Sequence, residues 1–146
     1  MSGPPVVLVH ELYGTLDDPA LVAELDAAAT LSPDLLGYGT QAAHSVATLE
    51  AQADHVAAAM AHLPRPAVLV GHSLGGAVGV LVAERHPHRV AGLVSIEGNM
   101  APADAFFTAA LAKSSNAAVA QALTATRANP EAWLRDVDPP THAGTR

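Results

Sequence analysis

The chain has 146 residues, half of them hydrophobic and 14% charged, which fits one globular domain with a real core and excludes a disordered tail. Seven basic against fourteen acidic residues give a formal charge of −7, so a phosphate backbone or an anionic membrane surface is repelled, and neither nucleic acid nor a membrane is an expected partner. No cysteine means no disulfide or thiolate nucleophile. Without a basic leader or an apolar run near the roughly 18 residues of a spanning helix, the expected location is the cytoplasm. Aromatic residues are only 3% of the chain, so Ala, Val and Leu must fill the core between closely packed elements.

Residues 6–9 form a continuous aliphatic run, the pattern of a strand buried on both faces in a parallel sheet. After a loop over 11–18, Asp18 before Pro19 predicts an N-cap and a helix with Leu21, Val22 and Leu25 facing inward. A short strand is expected around 29–35, ending in Gly37-Tyr38-Gly39. From about 46 to 63, Val46, Leu49, Ala53, Val56, Met60 and Leu63 recur at alternating steps of three and four, an amphipathic helix that Pro64 and Pro66 stop. Residues 67–70 give a second buried strand that runs into GHSLGG and an Ala/Val/Leu-rich helix to about Arg85, and 90–96 gives a fourth strand. Strand and helix alternate, which demands an α/β fold with a mostly parallel sheet and helices on both faces. From 101 to about 133 the chain reads as Ala-rich helix anchored by Phe106, Phe107, Leu111, Val119 and Leu123. The expected organisation is one domain over 1–136, with a core at 6–99, cap-like helices at 101–136 and a flexible tail at 137–146.

The most specific signal is Gly71-His72-Ser73-Leu74-Gly75-Gly76, placed between a buried strand and a helix. A residue at the apex of so tight a turn is forced into a strained backbone conformation, and glycines two before and two after it let strand and helix pass. The strain lifts the Ser73 hydroxyl clear of the sheet, with the Leu74 amide aimed where an oxyanion would form. This is a nucleophile elbow built from Gly71, His72, Ser73, Leu74 and Gly75. No G-x-G-x-x-G follows the first strand, which sets a dinucleotide-binding domain aside.

With LVHELYGT after the first strand and SPDLLGYGT before the long helix, residues 6–99 resemble the serine hydrolases of the α/β-hydrolase fold. The resemblance implies cleavage of an ester or related acyl bond of a small-molecule substrate, through an acyl-enzyme on Ser73, without cofactor or metal. It implies Leu12 as the second oxyanion donor. Glu11 stands where the family usually has Gly, and its carboxylate beside an oxyanion is unfavourable unless it turns away or is paired. Glu97, at the end of the strand after the elbow strand, matches the place from which a subset of the fold draws its acid; a buried structural acceptor for Gly98-Asn99 is the alternative. The family takes its catalytic His after a later strand, and the resemblance implies a chain lacking the C-terminal strands and that His. His10 is expected to support the oxyanion loop and His72 to pack or bond locally. His44, His55 and His62 read as surface residues, and His86-Pro87-His88 as a solvated helix end rather than a metal site. His142 is the one late candidate for the base. The competing reading is a catalytically incomplete hydrolase fragment that acts as a binding or assembly module, with strand 90–96 as an apolar edge that a homodimer could cover.

Overall fold

The computed structural model describes residues 3–25, 27–44 and 47–132. Four strands, β1 (Val6–Val9), β2 (Thr30–Leu31), β3 (Ala67–His72) and β4 (Val90–Ile96), form one parallel sheet in the order β2-β1-β3-β4. Helices α1 (Pro19–Ala23), α2 (Leu49–Ala59) and α3 (Leu74–Arg85) connect them. Register places Val7 beside Leu69 and Leu69 beside Leu93, so these three share a face. On that face Val7, Val9, Ala67 and Leu69 meet Ala53, Val56 and Ala57 of α2, Met60 just beyond it, and Val78 and Val82 of α3. The core is aliphatic, as the composition requires.

Three local expectations change. Asp18 caps α1 through bonds from the Ala20 and Leu21 amides, yet the helix has five residues and none is buried; Leu21 is exposed. Five residues make under two turns, too few to lay an apolar stripe on a sheet. β2 is only two residues long, because Pro33 has no N–H and restricts Ser32. In α2, Thr48 is the N-cap, its hydroxyl accepting from the Ala51 amide, so the helix starts at Leu49; Val46 lies outside the described residues. Leu49 is exposed, while the polar Gln52 is buried.

The chain divides into two compact units, Met1–Asp104 and Ala105–Arg146. The second holds α4 (Phe106–Ala112) and α5 (Asn116–Ala128), the latter capped by Ser115. Both are helical as the Ala-rich composition predicts, but α5 buries none of its residues and Leu123 is exposed rather than an anchor. The expected tail at 137–146 lies outside the described residues. Among the described residues no helix is long and apolar enough to cross a membrane.

Candidate active site

β3 passes into α3 through one residue, Ser73, held at φ 49° and ψ −113°. A positive φ is costly for a side chain with a Cβ and persists only where the surroundings over-determine it. Here they do. A Cβ on Gly71 would run into the Gly75 carbonyl, and a Cβ on Gly75 into the carbonyl of Val9, so strand, helix and the end of β1 touch backbone to backbone. The Ser73 amide donates to the Ile96 carbonyl at 2.9 Å, and its own carbonyl accepts from Gly76 at 3.0 Å and Asn99 at 3.4 Å. Ser73 occupies the N-cap position of α3 without spending its hydroxyl on the cap. Leu74 opens the helix, where the first amides lack intrahelical acceptors and carry the positive end of the dipole.

The contact of Gly75 with β1 also sets the root of the 10–14 loop against this turn. Buried His10 accepts from the Leu35 amide at Nε2, 3.1 Å away, which leaves the proton on Nδ1 to donate to the Glu11 carbonyl at 2.7 Å. Its ring meets Tyr38 edge-on at 4.9 Å. Burial pushes the Tyr38 phenol up, and a nearby Tyr13 adds to the shift, so Tyr38 stays neutral against the imidazole. Behind them Asp34 accepts from the Thr40 amide at 2.8 Å and hydroxyl at 2.7 Å, bonds that hold its carboxyl below the usual range. Gln52 grips Leu36 through both its amide and its carbonyl. His55, expected at the surface, is partly buried with Nε2 2.9 Å from the Asp34 carbonyl, an assignment the helical stripe alone does not give.

Three titratable side chains meet beside the elbow. His72 stands between Glu11, with Nδ1 to Oε2 3.3 Å, and Glu97, with Nε2 to Oε2 3.6 Å. Glu97 follows β4 at φ 48°, and its side chain is 85% exposed, so it is not the buried acceptor weighed as an alternative; the Asn99 amide bonds Ser73 instead. This trio was not legible from spacing, since 11, 72 and 97 lie far apart in sequence. Each stands at or just past the carboxyl end of β1, β3 or β4, and that shared position is the signal that joins them once the strand order is known. Leu12 is half-buried in the 10–14 loop. Among the described residues His10, His55 and His86 bond other groups and no histidine ring forms a hydrogen bond with the Ser73 hydroxyl, and His142 lies outside them. Nor do the described residues hold a group of three or more side chains able to ligate a metal. His86 instead joins Arg85 on Asp54 at 2.8 and 2.7 Å, tying α2 to α3 and lowering the Asp54 carboxyl to about 2.

Residues 4–135 match the alpha/beta hydrolase fold family. The chain is 42% identical over 98 residues to a pimeloyl-[acyl-carrier protein] methyl ester esterase of Aromatoleum aromaticum, covering 66% of this chain and 38% of that protein. It is 31% identical over 105 residues to an sn-1-specific diacylglycerol lipase of Xenopus laevis, covering 68% and 34% respectively. A thermophilic esterase from Thermogutta terrifontis superposes with a TM-score of 0.57 at 33% identity, over 69% of this chain and 39% of that one. The chain therefore spans well under half the length of these relatives. A match that runs through both the parallel sheet and its strained strand-to-helix turn leaves one assignment: the chain belongs to the alpha/beta hydrolase fold family.

Proposed function

We propose that this chain carries the nucleophile of a serine ester hydrolase, with Ser73 forming an acyl-enzyme from a small-molecule acyl substrate. The observation that carries the reading is the positive φ of Ser73 between two glycines at which any Cβ would strike backbone, a strained turn that leaves the hydroxyl outside the helix cap. Relatives named esterase and lipase support an ester as the bond cleaved. In this reading Ser73 Oγ attacks the acyl carbon and its proton passes to an imidazole base, for which His142 is the candidate in the sequence. The carbonyl oxygen gathers negative charge, which the Leu74 and Leu12 amides stabilise; then the bond to the leaving alcohol breaks and the alcohol takes the proton. Glu97 is the acid of the reading, in the segment that Asn99 fastens to the elbow. The chemistry uses no cofactor.

Treatment of the whole chain with a fluorophosphonate, read by intact mass, tests this. One adduct is expected, lost in Ser73→Ala together with ester turnover by about a thousandfold or more. A folded sample that takes no adduct overturns the reading. A second reading, an incomplete hydrolase acting as an assembly module, is favoured by one observation: β4 is the edge of the sheet, with Val94 48% and Ile96 45% exposed. A homodimer paired along 90–96 would cover that edge, and sedimentation as a monomer at high concentration would sink it.

A further inference from the structure

We propose that His72 is a positioning residue that ties the Glu11 carboxylate away from the oxyanion site, so that the Leu12 amide rather than a negative charge faces the acyl oxygen. The proposal rests on the reading of Ser73 as an acyl-transfer nucleophile and deepens it. Glu11 is the residue immediately before Leu12, in the loop whose root is pressed against Gly75 of the elbow. A carboxylate turned toward a developing oxyanion would raise the energy of the state the site must stabilise. The structure sets it against an imidazole. The backbone carbonyl of Glu11 accepts from His10 at 2.7 Å, which fixes the root of the side chain, and Oε2 of its carboxylate lies 3.3 Å from Nδ1 of His72. The other ring nitrogen of His72 faces Oε2 of Glu97 at 3.6 Å, so one imidazole holds carboxylates from the loops after β1 and β4. Neither contact is a hydrogen bond; each is an ion-pair contact between the ring and a carboxylate. His72 is part-buried with its side chain 26% exposed, and it ends β3 one residue before the nucleophile, so its backbone position is fixed by the same strained turn. A clamp built there moves with the elbow and not with the loop it restrains.

A double-substitution cycle separates this role from simple packing. The rate of fluorophosphonate attachment is measured on the full chain in His72→Ala, Glu11→Gln and the two combined. His72→Ala is expected to slow the attachment step about tenfold with little change in reagent affinity, because the displaced charge acts on the oxyanion and not on the bound reagent. In the Glu11→Gln background the same change should cost less than about twofold, since no charge remains to be held. His72→Asn, whose amide nitrogen overlays Nδ1, should recover most of the lost rate through Glu11 alone. Equal losses in both backgrounds overturn the proposal. Amide hydrogen exchange over residues 11–14 supplies a reading independent of reactivity. His72→Ala should speed exchange there about fivefold, with no further gain when combined with Glu11→Gln, and unchanged exchange overturns the clamp even if Ser73 never labels. Absence of labelling in the unsubstituted chain would count against the serine hydrolase reading alone.

Discussion

The two faces of β3 and β4 are built from the same aliphatic alphabet and end in different surroundings. On one face Ala67 and Leu69 are fully buried under α2 and α3, along with Val78 and Val82. On the other, Val94 and Ile96 are close to half exposed, although β1, two strands away, is buried on both faces. An apolar strand therefore records that both of its faces can be covered, not what covers them. The helix α3, which packs the first face, also carries the first residue after the nucleophile, so the site depends on the closed face.

The largest way to break the comparison is to push the closed face apart. Gly75→Ala puts a Cβ into the carbonyl of Val9, a collision with backbone that no rotamer change relieves, and a loss of about 4 kcal/mol or more, or failure to fold, is expected in chemical denaturation. Leu69→Ala should cost about 3 kcal/mol on the closed face, while Val94→Ala on the register-adjacent open face should cost under about 1 kcal/mol. Equal costs would mean that the open face is covered in solution. Gln52→Ala strips both bonds from Leu36 and should cost about 2 kcal/mol while loosening the loop behind His10, read by amide exchange at 34–36.

The smallest effect concerns the seam between α2 and α3. Hydrogen bonds from Arg85 and then His86 hold the Asp54 carboxyl near 2, below its ordinary 3.8. A depressed carboxyl contributes stability that is present above the ordinary value and is lost as pH falls through the depressed one. Acid titration of stability should therefore steepen between about pH 4 and pH 2, and Asp54→Asn should flatten that window. Because these groups are solvent-exposed, added salt should shrink the difference.

Much of the closed face was legible in the sequence. The aliphatic runs at 67–70 and 90–96, the Ala53, Val56 and Met60 part of the three-and-four stripe and the glycines around Ser73 each impose a local geometry that tertiary packing accepted, whereas Leu49 of the same stripe is exposed. Boundaries moved where a single residue overrode the pattern, as at Pro33 and Thr48. Leu21 and Leu123 were misplaced because periodicity marks a face able to be buried without saying that anything lies against it. The histidines were least legible. His10, His55 and His86 each found a partner from another element, and a side chain with two nitrogens fits a core, a surface or a site equally well until its neighbours are known.

By itself the sequence determined the α/β class, the strand-to-helix turn at Ser73 and the need for glycine on either side, because these follow from hydrogen-bonding periods and from the volume of a Cβ. The strand order β2-β1-β3-β4 was decided only by the tertiary structure, and with it the meeting of Glu11, His72 and Glu97 at the carboxyl ends of three adjacent strands. The physical reason is range. Backbone conformation is set within a few residues, whereas the charges facing an imidazole are set by which strands lie side by side, and loops of many residues separate those in the chain.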